Sequence, residues 1–253
     1  MAIITLLTDF GTRDAYVAEV KGVLLSEARE VTLVDVSHDV PPGDVTAAAY
    51  LLSRTWRRFP AGTVHLVVVD PGVGTSRRPV AFVREGHRFV GPDNGVFSRV
   101  LEAGEEPEGV VLPVADEAAP TFHGRDVFAP AAAALAAGAA IVDMGRPLDA
   151  PLTRLPEDRP VRDGGRLVGR VAYVDRFGNL ITNLRPDDVP VRAALRLGST
   201  LLGPMRRTFG DVAPGELLAY PGSGGELEIA VRDGSAALTL GVGVGAPVVV
   251  EPA

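Results

Sequence analysis

The run Val64-His65-Leu66-Val67-Val68-Val69 leads straight into Asp70-Pro71-Gly72-Val73-Gly74-Thr75, with Arg77 and Arg78 just beyond. Apart from His65 the run is apolar throughout, so it reads as a strand buried on both faces, as in a parallel or mixed sheet covered by helices. The flanking sequence agrees. Residues 3–8 (Ile-Ile-Thr-Leu-Leu-Thr) form a short apolar run ending at Asp9-Phe10-Gly11, and residues 31–36 read as a second strand. Between them Tyr16, Val17, Val20, Val23, Leu24 and Leu25 make a helical stripe over residues 14–28. Asp44 reads as the N-cap of a helix over residues 45–57. Downstream the pattern predicts strands at 80–83, 89–90 and 110–114, a short helix at 96–102 and a helix at 127–137. Strands alternating with helices give an α/β N-terminal domain, residues 1–150, with a parallel or mixed sheet covered by helices.

Residues 147–165 contain Pro147, Pro151, Pro156 and Pro160 among many charges, and 151–165 reads as an interdomain linker. Beyond it the texture changes. Segments 167–174, 193–202, 216–220, 226–232, 235–240 and 247–251 are short, β-rich and separated by Gly, Pro, Asp or Ser. They predict a smaller all-β C-terminal domain over residues 166–253, a small barrel or a sandwich.

Composition removes several function classes. A net charge of −7 argues against general nucleic-acid binding. No apolar run approaches the ~20 residues of a membrane span. The apolar N-terminus lacks a basic lead-in and is broken by Asp9, so no secretory signal is expected and the cytoplasm is the expected location. With no cysteine there is neither a disulfide framework nor thiolate chemistry. Lys21 is the only lysine. The His and carboxylate spacings do not suggest a metal site. Residues 241–246 match G-x-G-x-x-A, but Pro247 and a valine run follow where a dinucleotide site needs a helix.

In parallel α/β sheets ligands bind beyond the carboxyl ends of strands. Four polar clusters fall at such places: Thr8 to Gly11, Asp70 to Thr75 with Arg77 and Arg78, Gly91 to Gly95, and Thr121 to Asp126. Each alone is compatible with an ordinary turn; four together point to a common site. Asp70 emerges from the apolar run into a glycine-rich loop, and Arg77 can fold back to pair with it, in a structural or a functional role. His123 stands in a loop before a helix, where an imidazole can face a cavity or simply be satisfied in place. His38 and His87 read as loop or surface residues. In the second domain, Asp175-Arg176-Phe177-Gly178-Asn179 is either a hairpin turn or a grip for a planar polar ligand, with carboxylate and amide to hydrogen-bond and a ring to stack.

These strings, in this order, resemble the S-adenosyl-L-methionine (SAM) hydroxide adenosyltransferases, also described as adenosine-forming SAM hydrolases and homologous to the fluorinating and chlorinating enzymes. The resemblance rests on Leu7-Thr8-Asp9-Phe10-Gly11, Asp14 to Val17, Lys21-Gly22, Asp35 to His38, Pro41 to Asp44, Asp70 to Arg78, Gly91 to Gly95, Phe122 to Pro130, Asp175 to Asn183 and Leu227 to Ala230, and covers essentially the whole chain. It implies hydrolysis of SAM to adenosine and L-methionine, without metal or cofactor, in a homotrimer whose active sites lie between one subunit's N-terminal domain and a neighbour's C-terminal domain. It further implies that Asp70, Arg77 and His123 hold the attacking water and that Asp9 holds both ribose hydroxyls, with Phe10 beside it. Asp175 and Asn179 grip the methionine portion with Phe177 between them, and Ser223, Arg232 and Ala236 touch substrate. Two departures from the halogenating relatives stand out. They carry Asp-x-x-Phe-Gly-Asn where this chain has Asp-x-Phe-Gly-Asn, and tyrosine where this chain has Asp70. A carboxylate beside the attacking site repels halide but accepts a hydrogen bond from water. Alternative readings are a SAM-dependent halogenase and a non-catalytic sensor of SAM or adenosine.

Overall fold

The computed structural model describes residues 2–101, 106–190 and 193–251. The chain divides into two compact units, residues 1–155 and 156–253.

In the first unit the strands and helices alternate as β1 (Ala2–Thr8), α1 (Tyr16–Glu27), β2 (Val31–Ser37), α2 (Val45–Thr55) and β3 (Val64–Val68). There follow β4 (Pro79–Arg84), β5 (His87–Pro92), β6 (Gly109–Val111), α3 (Ala129–Ala136) and β7 (Arg146–Pro147). They build one sheet in the order β2-β1-β3-β5-β4-β6-β7. The β2, β1, β3 and β5 strands are parallel, while β4, β6 and β7 pair antiparallel, so the sheet is mixed. The apolar strand β3 lies between two parallel neighbours and is buried at every residue, as its sequence requires. Leu66 and Val68 join Ile4, Leu6 and the α1 and α3 side chains Val20, Leu24, Ala132 and Leu135 in one core. On the opposite face His65 stacks on Phe89 (5.0 Å between centroids), which in turn meets Phe82 and Trp56. The predicted N-cap holds: Asp44 Oδ1 accepts from Ala47 N–H at 2.9 Å.

The second unit comprises β8 (Val161–Asp163), β9 (Arg166–Val174), β10 (Leu180–Thr182), β11 (Ala194–Leu197), β12 (Thr200–Leu202), β13 (Leu217–Pro221), β14 (Leu227–Val231), α4 (Ala236–Leu240) and β15 (Pro247–Glu251). Its antiparallel sheet runs β12-β11-β15-β9-β10-β14-β13, with β8 also on β9. The long strand β9 pairs with β15 through residues 167–170 and with β10 through 171–174, which curls the sheet into a nearly closed barrel around Val171, Leu195, Ile229 and Val248.

Three local expectations are corrected. Residues 96–101 form hydrogen-bonded turns rather than a helix, with Ser98 N–H on Gly95 carbonyl, and Glu102 lies outside the described residues. Segment 235–240, expected as a strand, contains α4: Ser235 Oγ caps it by accepting from Leu238 N–H, and Gly241 ends it at φ 64°. His38 and His87, expected in loops or at the surface, are each only 6% exposed. The proline-rich stretch is ordered. Thr153 N–H and Leu155 N–H donate to Asp93 and Ser98 of the first unit, while 161–163 belongs to the second unit's sheet. Among the described residues no helix is long and apolar enough to cross a membrane.

Candidate active site

The carboxyl ends of β1 and β3 and the loop before α3 converge on one small pocket of about 60 Å³, lined by Asp9, Phe10, Val68, Asp70, Phe122, His123 and their neighbours. That is room for a few waters or one small group. Two loops meet to build it. Gly74 takes φ 75°, and a side chain there would meet the Pro120 carbonyl at 2.7 Å, so a glycine lets the Asp70 loop pack against the chain leading to His123. A π-helical turn at Gly124–Phe128 then carries the chain into α3; such turns insert one extra residue and are frequent at functional sites.

Asp70 and Arg77 pair closely with almost no solvent around them; their side chains are 5% and 8% exposed. Arg77 Nε donates to both carboxylate oxygens, at 3.0 and 2.9 Å, and Nη2 donates to Oδ2. Nη2 also lies 2.9 Å from His123 Nδ1. A guanidinium only donates, so Nδ1 accepts, and the proton of the neutral ring belongs on Nε2. Burial, then the nearby Arg77 charge, hold the His123 pKa below its ordinary value. Arg77 also stacks over the Phe128 ring, at 5.2 Å.

Asp9 stands across the pocket at the end of β1. Its Oδ2 accepts from Gly43 N–H at 2.8 Å. Phe10 meets Phe122 edge-on at 5.8 Å, and both meet Tyr16. Arg125 lies over Phe122 at 4.9 Å and is tied to Glu19 and Asp126, and Asp126 accepts from Ala119 N–H. The loop carrying Phe122 and His123 is thereby closed on itself and on α1. Sequence reasoning put Asp9, Phe10, Asp70, Arg77 and His123 forward, and the fold brings all five together. It left out Phe122, although its place beside His123 was a signal.

In the second unit, Asp175 to Asn179 is the hairpin connection between β9 and β10. Asp175 Oδ1 accepts from the Phe177 and Asn179 backbone N–H groups, both at 2.9 Å, and Oδ2 accepts from Asn179 Nδ2 at 2.8 Å. Phe177 stands out of this turn, 75% exposed. Ala237 N–H donates to the Gly178 carbonyl, which brings the Arg232-to-Ala236 segment beside it. The Ala236 side chain is buried in the barrel core, and Arg232 Nη1 donates to the Val212 carbonyl. Ser223, exposed in the β13–β14 hairpin, lies toward the Thr182 end of β10, away from Asn179. Among the described residues no group of three or more His, Cys, Asp or Glu side chains is placed to hold a metal ion.

Comparisons with known proteins agree on one family. The N-terminal domain model of the SAM hydroxide adenosyltransferases matches residues 4–145, and the C-terminal domain model matches residues 169–249. The chain is 44% identical to an (R)-S-adenosyl-L-methionine hydrolase of Thermus thermophilus, over 96% of both chains, and 41% identical to one of Salinispora tropica, over 94% of both. A fluorinase of Actinoplanes sp. is 33% identical over 90% of both. A crystal structure of a conserved protein from Thermotoga maritima superposes with a TM-score of 0.90 at 36% identity, covering 98% of this chain and all of that one. The chain belongs to the SAM hydroxide adenosyltransferase family.

Proposed function

We propose that this protein hydrolyses S-adenosyl-L-methionine to adenosine and L-methionine by attack of water on the ribose 5′ carbon. The observation that carries the proposal is the interlocked Asp70–Arg77–His123 set at a pocket with room for water and little else. The hydrolase names of curated relatives at 44% and 41% identity support it.

The substrate's sulfonium is itself a good leaving group, so cleavage needs no metal or cofactor. The protein has to place one water in line with the C5′–S bond, and near-attack positioning of this kind supplies about 7–11 kcal/mol in well-oriented reactions. With Nδ1 on Arg77, His123 offers its Nε2–H to the water oxygen and is no base. Asp70 Oδ1 accepts only the Arg77 Nε bond from the protein and keeps a lone pair for the water proton. As the water oxygen bonds to C5′, the C5′–S pair passes to sulfur, giving neutral methionine. The proton leaves through Asp70 to solvent. Asp9, with Oδ1 open, takes the ribose hydroxyls beside Phe10. Asp175 and Asn179 bind the methionine portion near Phe177, and Ser223, Arg232 and Ala236 complete the substrate contacts. For Ala236 that contact is through backbone, since its side chain is in the core. From the family resemblance we further propose a homotrimer with each site between one subunit's first unit and a neighbour's second, working in the cytoplasm. No nucleic acid or membrane takes part.

Incubation with SAM in halide-free ¹⁸O-water tests this. Adenosine labelled at the 5′ oxygen, with equimolar methionine, is expected. No adenosine above a no-enzyme control would overturn hydrolysis, and a 5′-halo-adenosine formed only on adding halide would point to a halogenase.

A further inference from the structure

The loop that carries Asp9 is held from behind by a chain of polar groups reaching the surface. Phe10 N–H donates to Thr8 Oγ1 at 3.3 Å, and Thr8 Oγ1 lies 2.8 Å from His38 Nδ1. His38 Nε2 lies 3.1 Å from Asp35 Oδ1, and Lys21 Nζ donates to Asp35 Oδ2 at 2.7 Å. Thr8 and His38 are buried, at 1% and 6% exposure. The His38 carbonyl also accepts from Gly11 N–H at 2.7 Å, so His38 grips the Asp9 turn on both sides.

The chain has a fixed direction. A backbone N–H only donates, so Thr8 Oγ1 accepts at one end. His38 Nε2 faces Asp35 Oδ1 without hydrogen-bond geometry, but the carboxylate's charge favours the ring proton on that nitrogen. That leaves Nδ1 as the acceptor, and the Thr8 hydroxyl hydrogen points to it. Burial raises the Asp35 pKa, but the Lys21 hydrogen bond and the facing His38 outweigh it and hold the carboxyl below its ordinary range. The Asp35 end therefore stays ionised and the polarity does not reverse.

We propose that His38 is a positioning residue: through Thr8 it fixes the turn that aims Asp9 at the ribose hydroxyls. This rests on the reading of Asp9 as the ribose grip. His38 touches neither the substrate nor the attacking water, so its effect should shrink where Asp9 loses one of the two hydroxyls it holds.

The test compares SAM with its 2′-deoxyribose analogue, using wild type, His38→Ala, His38→Asn and Thr8→Val, each checked for folding by circular dichroism and thermal melting. For His38→Ala, kcat/KM with SAM is expected to fall about tenfold, mostly in KM, but only about twofold with the deoxy analogue. His38→Asn keeps an acceptor near Nδ1 and restores most of the loss. Thr8→Val keeps the packing of β1 and reproduces the coupling, so the test survives if His38→Ala does not fold. Equal losses on the two substrates would overturn the proposal and leave hydrolysis standing. Wild type that cleaves SAM but is indifferent to the 2′-hydroxyl would remove the role of Asp9, and the proposal with it. Wild type that does not cleave SAM would overturn both.

Discussion

Asp70 and Asp175 each stand just past the end of a strand and open a glycine-containing loop, yet they sit in opposite circumstances. Asp70 is 5% exposed and balanced by a guanidinium that is itself 8% exposed. Asp175 is satisfied by two backbone N–H groups and one amide of its own turn, with no cation in its hydrogen-bond set. A buried ion pair is rigid because each charge depends on the other, and removing one partner leaves the other uncompensated at about 3–5 kcal/mol. A self-satisfied turn is rigid at little expense and presents what stands outside it, here Phe177. The first arrangement suits a group whose charge must be tuned for a reaction; the second suits one that must meet a ligand.

The sharpest way to break this contrast is Asp70→Asn. Turnover is expected to fall about 10²–10⁴-fold, as for loss of a general base, with KM moving far less. Thermal melting of the same variant should show destabilisation, because Arg77 keeps its buried charge. Asp175→Asn should do the reverse, raising KM about tenfold with kcat within a few-fold; a collapse of kcat there would erase the distinction between the two carboxylates. His123 separates donor from base. His123→Gln, which can place an N–H near the Nε2 position, should retain about tenfold more activity than His123→Ala. In wild type kcat/KM should fall as pH drops through the lowered His123 pKa, on an acid limb below pH 6.5, and that limb should be missing from His123→Gln.

The two units should also part company in acid. All four histidines lie in the first unit. His65 is held between Thr5 and His87 in the aromatic core, where burial and then His87 lower its pKa to about 3. Its folded-state pKa is below the unfolded value, so the unfolded chain binds the proton more readily. Stability of the first unit is complete above pH 6.5 and declines from there toward pH 3. Urea unfolding at pH 7 and pH 5, followed separately in each unit by hydrogen exchange, should show the first unit weakening and the second holding. The smallest effect belongs to the second unit: Ser235→Ala should cost about 1 kcal/mol by removing the α4 cap.

Most of the first unit could be read in advance because its central strands β1 and β3 are mostly buried and carry a nearly unbroken apolar signal. The cap at Asp44 was legible for a similarly local reason. The second unit's strands were mostly legible, but α4 was not. It is five residues long, too short to show a helical period, and only Ser235 and Gly241 mark its ends. Asp70, Arg77 and His123 could be named as candidates one by one, while the tautomer of His123 depends on Arg77, 46 positions earlier, and no local pattern encodes that. His38 was misread for the same reason: polar neighbours in sequence suggested a surface, whereas its hydrogen-bond partner Thr8 is reached only through the pairing of β1 with β2.

The π-helical turn at Gly124–Phe128 makes the length of this stretch as consequential as its composition. Downstream, α3 is anchored in the core by Ala132 and Leu135. Removing one residue from the turn would let it relax to an ordinary α-helix and rotate everything upstream by about 100° around the helix axis. His123 would swing off the pocket although every side chain named in the mechanism was still encoded. Single-residue deletions between 124 and 128 should therefore be silent in composition and fatal in register, and a gap there in any alignment marks a chain whose imidazole no longer faces Asp70.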